Sequence, residues 1–537
     1  MTKLQRDLFE TELFEPREEA VVSPQRLAFS RHGMVSTARY DATDAAVKIL
    51  AEGGNAIDGA VAAAFALGVC EPQASGLGGQ TMMMLYLSEP ARTIALDGSS
   101  RAPNRAAPDE VTKKDITVGY RACTVPSTPA VLGYALSRYG TMKLDRVIAP
   151  AIDLARRGWQ VSHLQHALAK RERRRLRTGG AGRIYLRQGK RPYRVGSTQR
   201  LPALADTMER LATAGVEDFY VGEISRKIHA DMEANGGLLR DDDLAQIPWP
   251  IERRPVSTRF GAFRVRTFPP PGAGRVLVEM LHVLEQFPER LWDPDSPKGA
   301  VLLAEVIRRA AMDRRDRPFD PNFYPQVDDK RMTNREYARL VGRYVRRRIR
   351  TSGETTHLSV MDRFGNVVAL TQSIESVFGS CVATPELGFL YNNYMKAFDY
   401  SDISHPYYMR PNAVPWASVA PTIVFRGKRP WLAIGSPGSE RIVSAILQVL
   451  LRLRSHTPYE AVAAPRLHCS YNGKVSIEAP RFRDDIPMEL ARRGFEIDAR
   501  DSLSFYLGCV QLVLHERGGY VGVADPRRDG SAGGPAS

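Results

Sequence analysis

Residues 353–380, GETTHLSVMDRFGNVVALTQSIESVFGS, leave the chain little choice but a β-hairpin. From Thr355 to Asp362 the bulky Leu358 and Val360 alternate with His357 and Ser359, the period of two expected of a strand with one buried face. RFGN at 363–366 reads as the turn, with Gly365 and Asn366 able to take positive φ, and VVALTQSI at 367–374 as the return strand. A turn centred between Phe364 and Gly365 sets Thr355 opposite Ser373 or Ile374, within one residue of register. Two hydroxyls then meet at one end of an otherwise apolar hairpin. Strand-forming threonines alone would produce the same pattern, so the rest of the chain has to decide what the hydroxyls are for.

Motifs along the chain supply the context. TTHLSVMD, FGNVVALTQSI and FGS resemble the start of the small subunit of the γ-glutamyltransferase (γ-glutamyl transpeptidase) family. GMVSTARYDATDAAVKILAEGGNAIDGAVAAAFALGVCEPQASGLGG at 33–79, FPPPGAGR at 268–275, APTIVF with IGSPGSERI at 420–442, and VADPRRDGSAGG at 523–534 resemble its other signatures, in the same order. The resemblance implies an α/β N-terminal nucleophile hydrolase fold, a four-layer αββα sandwich. It also implies a precursor that cuts itself between Glu354 and Thr355, giving a large subunit of residues 1–354 and a small one of 355–537 held together without a covalent link as one interwoven unit. Thr355 is then nucleophile and base together. Its hydroxyl is weakly nucleophilic, but cleavage frees an α-amine of pKa about 8 on the same residue, which can take the proton directly or through one water. The implied cycle passes an acyl group from a small-molecule amide to Oγ and then to water or an amine acceptor, with no metal or organic cofactor. Ser373 is the second hydroxyl of the site. The family's oxyanion hole of two consecutive glycines falls here on Gly438 and Ser439, where the N–H survives and only the backbone conformation is in question.

At the donor-binding positions the sequence departs from the family. The family's Arg position is Ser99, with Arg101 two residues on; its Asn is Glu375; its Gln/Glu is Tyr394; its Asp is Ala397; and its paired serines are Ala417 and Ser418. Glu375 in place of an Asn that donates to a carboxylate replaces attraction by repulsion, and Ala397 removes the partner of a substrate ammonium. The expectation is retained machinery with an acyl specificity moved away from γ-glutamyl. Glu375 would receive a cationic or hydroxylated acyl group, pair with the Thr355 ammonium and raise its pKa, or end a strand in solvent. An orthodox γ-glutamyl enzyme stays open if Arg101 folds back, or if Asp399 or Asp402 supplies the acid. The segment from Tyr400 to Trp416, where relatives carry a lid, is short, and Tyr407 and Tyr408 would line the mouth or pack inside it.

Composition narrows the setting. The start, MTKLQRDLFETELFEPREE, is charged throughout and lacks an apolar signal region, which with Cys70, Cys123, Cys381, Cys469 and Cys509, odd in number and without CxxC spacing, points to buried thiols in a reducing cytoplasm. The longest apolar runs, 59–70 and 442–451, are too short to span a bilayer and read as core helices. A net charge of +15 is concentrated at 170–177, 307–317 and 342–350, so a nucleic-acid- or anion-binding protein without catalysis is the competing class. The runs lack a reading motif and aromatics for base stacking, which favours solvated helix faces and no specific nucleic-acid partner. Oligomeric state is left open. An N-terminal arm to about residue 28, helix over 41–70, strands at 81–87 and 93–98, a mainly helical 130–350, then strands with one helix at 440–453 complete the expected order.

Overall fold

The computed structural model describes residues 26–112, 114–316, 335, 338 and 355–536. Two seven-stranded antiparallel sheets face one another. One is ordered Ser531–Gly533, Gly33–Thr37, Thr356–Asp362, Val367–Ser373, Gln80–Leu87, Arg92–Gly98, Ile251–Arg253. The other is ordered Leu27–Ser30, Gly519–Ala524, Gln511–Glu516, Arg429–Gly435, Thr422–Arg426, Phe263–Thr267, Val256–Phe260.

Three apolar layers hold these sheets. Helices Tyr40–Ala51, Ala56–Cys70 and Thr128–Tyr139 cover the outer face of the first sheet, on which Leu358, Val360, Val368 and Leu370 are buried, and Leu144–Arg157 packs on the first two from outside. Helices Gly274–Leu284, Pro297–Asp316 and Arg441–Arg452 cover the outer face of the second, on Val424, Leu432 and Leu512. Between the sheets lie Met34, Met82, Met84, Met361, Phe425 and Val513, pliable side chains suited to filling the space between two twisted surfaces. The result is the four-layer αββα sandwich.

The hairpin has the expected turn and register. Thr356 faces Gln372 and Met361 faces Val367, which carries Thr355 opposite Ser373. Only Gly365 of the turn pair takes positive φ; Asn366 instead bonds Asp362, its N–H to Oδ1 at 2.9 Å and its amide to Oδ2 at 2.8 Å. Both faces of the hairpin are buried, not one, because the second sheet covers the polar face. His357 lies there, its Nδ1 2.8 Å from Thr371 Oγ1 and its Nε2 3.1 Å from Ser359 Oγ, and a side chain at Gly435 would collide with its ring.

Two further readings change. GGN at 53–55 does not merely stop a helix: Asn55 caps the next one, accepting from Ile57 and Asp58 N–H at 2.9 and 3.1 Å while Asp58 accepts from its N–H. Strands Ile251–Arg253, Val256–Phe260 and Phe263–Thr267 replace helix in the middle of the chain. Their alternation sets Val265 toward the outer helices and Arg264 and Arg266 on the face shared with Ile423 and Phe425, where Arg266 donates to Thr93 Oγ1 of the first sheet and lies over the Phe425 ring at 4.6 Å.

All five cysteines are free and buried, and among the described residues no helix is long and apolar enough to cross a membrane. The basic runs divide. On helix His163–Gly179 the side chains of Lys170, Arg173, Arg174 and Arg177 share one exposed face, and none forms an ion pair with a described residue. On Pro297–Asp316, Arg308 and Arg309 turn to Glu305 and Asp313 at 3.1 and 2.7 Å. The run at 342–350, the linker to Glu354 and the N-terminal arm before Arg26 lie outside the described residues.

Burial of two imidazoles predicts acid sensitivity. Desolvation pushes both His357 and His468 down to about 3. A base with a depressed folded pKa stabilises the fold fully above its unfolded value of about 6.5, and that contribution is lost as pH falls toward about 3. The two together should remove about 3 kcal/mol of stability per pH unit below about 6. Unfolding midpoints measured between pH 6.5 and 5 should fall steadily; a flat profile there would contradict the assignment.

Candidate active site

The end of the hairpin is enclosed from three directions. Thr355 is 4% exposed. Its carbonyl accepts a hydrogen bond from Arg528 Nη1 at 3.2 Å, and the same Nη1 lies 3.4 Å from Glu71 Oε1. Glu71 Oε2 accepts from Thr356 Oγ1 at 2.6 Å. Burial pushes the Glu71 carboxyl up, against the pull of Arg528 and the Thr356 hydroxyl. Arg528 also lies over the ring of Phe505 at 4.4 Å. Helix Ala56–Cys70, which ends just before Glu71, and the C-terminal segment thus clamp the first residues of the strand from below.

The facing sheet contributes a backbone turn. Strand Arg429–Gly435 lies against the hairpin at His357, and three residues beyond its end come Gly438 and Ser439, with φ of 121° and 55°. Ser439 therefore takes the left-handed conformation that was in question, one that L side chains disfavour and that clusters at functional sites. Gly438 packs against Gly508, where an added Cβ would come within 3.2 Å of the Gly508 Cα. Among the described residues neither the Gly438 nor the Ser439 N–H has a hydrogen-bond acceptor, while their carbonyls accept from Arg441 and Ile442 to start the next helix. Two adjacent free donors ahead of a helix N-terminus suit a developing negative charge.

Ser373 anchors the donor end. Its Oγ accepts from the Glu375 N–H at 2.8 Å, and the buried Tyr394 hydroxyl lies beside the Ser373 and Gln80 side chains. Glu375 has φ of 75° and pairs with Lys396, Oε1 to Nζ 3.3 Å, with its side chain mostly buried and not ending a strand in solvent. Lys396 also donates to Ser376 Oγ at 2.8 Å. Sequence reasoning passed over Lys396 because it searched the neighbouring position, Ala397, for an acid.

It also missed Arg314. From the end of helix Pro297–Asp316 this guanidinium donates to the Ala417 carbonyl at 2.9 Å and to Ser418 Oγ at 3.2 Å, and stacks on Trp416 at 4.2 Å. Burial pushes it down to about 10, opposed by Glu440, Tyr407 and Glu375, so it stays charged at neutral pH. Its sequence signal was no more than a place in the basic run at 307–317. The charge density around it read as a solvated face.

Other candidates are not brought into this cluster. Ser99 Oγ donates to Asp97 Oδ1 at 2.5 Å, and Asp97 Oδ2 is held by Arg253 at 2.6 Å. Arg101 lines a small cavity with Asp243, Gln246 and Asn412 that includes none of Ser373, Glu375 or Tyr394. Asp399 and Asp402 accept from Ser401 and Ser404 within their own loop, which lowers both carboxyls. Tyr407 is buried against Trp416 at 5.5 Å, and Tyr408 is half-buried beneath Arg410.

The family profile described as Gamma-glutamyltranspeptidase matches residues 42–534. The chain is 32% identical to the glutathione hydrolase proenzyme of Escherichia coli strain K12, over 95% of this chain and 92% of that one. It is 31% identical to the Acylase ACY 1 proenzyme of Pseudomonas sp. strain V22, over 96% of each. The crystal structure of cephalosporin acylase from Bacillus halodurans superposes with a TM-score of 0.88 at 27% identity, covering 98% of this chain and 99% of that one.

Proposed function

The chain belongs to the gamma-glutamyltranspeptidase family, and from that premise we propose that it is a self-cleaving N-terminal-threonine amidohydrolase or acyltransferase whose acyl specificity has moved away from γ-glutamyl. The observation that carries this reading is the register that sets Thr355 opposite Ser373 at the buried end of the hairpin, with the strand that leads into the Gly438–Ser439 turn packed against that hairpin at His357.

In the proposed cycle the chain is first cut between Glu354 and Thr355, leaving residues 355–537 with a new α-amine. That amine takes the proton from Thr355 Oγ as the oxygen attacks the amide carbonyl of the donor. The Gly438 and Ser439 N–H groups receive the oxyanion. Collapse of the tetrahedral intermediate breaks the C–N bond, the proton passes to the departing amine, and an ester remains on Thr355. Water or an acceptor amine then repeats the attack, regenerating the hydroxyl and releasing an acid or a new amide. Arg528 and Glu71 would fix the Thr355 main chain throughout.

The shift in specificity is supported by what occupies the donor end. Tyr394 lies buried beside Ser373, Glu375 is bound to Lys396, and Ala397 offers no carboxylate. A second reading, an orthodox γ-glutamyl hydrolase, draws on the printed name of the Escherichia coli relative. Acid-quenched intact mass spectrometry during turnover should find the donor's acyl mass added to the 355–537 fragment. A donor that is consumed with no adduct on that fragment under any quench condition would contradict the ester mechanism.

A further inference from the structure

We propose that Glu375 and Lys396 form a selectivity pair that closes the donor end of the site to acyl groups with a charged head, so that the substrates are amides whose acyl group ends in an uncharged aliphatic or aromatic group. The proposal rests on the reading above that Thr355 carries the acyl group.

The pair is held in place. Ser376, which accepts from Lys396, donates its own N–H to Asn393 Oδ1 at 2.9 Å, and Asn393 Nδ2 donates to Ser376 Oγ at 3.0 Å and to the Thr117 carbonyl at 2.9 Å. Glu375 is anchored from the other side by its N–H on Ser373. The two side chains are only 19% and 29% exposed, so their attraction is less screened than that of a surface pair.

Arg314 has its donors engaged by the Ala417 carbonyl and Ser418 Oγ. At the pair itself a substrate carboxylate would have to draw on Lys396, a cation already neutralised, and a substrate ammonium on Glu375, an anion already neutralised. Taking one member of a partly buried pair leaves the other uncompensated, which is strongly unfavourable. An uncharged head asks for neither. The ring of Tyr394, buried beside Ser373, offers such a head apolar contact.

The test uses the full-length, self-processed protein and p-nitroanilides of four acyl groups of equal chain length: pentanoyl, glutaryl, 5-aminopentanoyl and γ-glutamyl. Pentanoyl turnover, as kcat/KM, should exceed each of the other three at least tenfold. In Glu375→Gln, Lys396 is left unneutralised and the glutaryl-to-pentanoyl ratio should rise at least tenfold. In Lys396→Met, Glu375 is left unneutralised and the 5-aminopentanoyl-to-pentanoyl ratio should rise likewise. A merely structural pair would alter all donors together and leave both ratios unmoved, which would overturn the proposal. So would γ-glutamyl turnover equal to pentanoyl, which would make the pair a clamp for a zwitterion. Tryptophan-fluorescence titration with the four corresponding primary amides needs no turnover. Preference for pentanamide supports the pair and preference for a charged amide overturns it, even if no anilide is cleaved, a result that would count against the acyl-transfer reading alone.

Discussion

Thr355→Ala is expected to remain a single uncut chain and to lose at least about 10⁴-fold in amide turnover, since the one side chain supplies the attacking oxygen in both self-cleavage and catalysis. The variant should fold: Thr355 is buried, but the hydrogen bond that its carbonyl accepts from Arg528 belongs to the main chain and survives the substitution. Intact mass of parent and variant, purified side by side, decides the matter. The parent should give two fragments meeting between Glu354 and Thr355. Thr355→Ser should also be cut, because it keeps the oxygen and, once cut, the α-amine. Fragments of the same mass in the alanine variant would assign the cut to another agent, and retained turnover would remove Thr355 from the chemistry altogether. An uncut parent would leave the proposed base without its amine and give the unpaired basic face of helix His163–Gly179 the larger claim on function.

The hairpin was legible because its information is local: a period of two, a glycine at the turn, and the register that follows put Thr355 opposite Ser373 before any long-range contact is considered. That both its faces are buried was not, because His357 and Ser359 look solvent-facing until a second sheet is laid over them. The backbone donors at Gly438 and Ser439 were placed by motif, but neither the left-handed turn of Ser439 nor the packing of Gly438 on Gly508, some seventy residues away in sequence, could be read there. The donor end was read one residue at a time, and that reading could not see the pairing between residues. Glu375 alone repels a carboxylate; Glu375 bound to Lys396 is nearly neutral to it. Charge pairing across separate loops is a property of the fold. The same holds for Arg314, whose partners Trp416 and Ser418 lie far along the chain.

Glu71→Ala should be the most destabilising single change near the site, at about 3–5 kcal/mol, because it strands a buried cation. Glu71 and Arg528 are each all but buried, and the carboxylate is also the acceptor for Thr356 Oγ1. Removing it leaves Arg528 Nη1 with the Thr355 carbonyl but without its anion. Replacing both charges at once, as Glu71→Gln with Arg528→Met, removes the uncompensated ion and should recover most of that stability. It should not recover self-cleavage. Without the guanidinium the Thr355 carbonyl loses a charge-assisted bond that net contributes about 1.5–3 kcal/mol, and cutting should slow at least tenfold. Chemical unfolding gives the first quantity and the time course of fragment appearance the second. Equal stability loss in the single and double variants would mean that the cluster acts by packing, not charge. Cutting at the parental rate in a folded double variant would show that Arg528 does not hold the nucleophile's main chain.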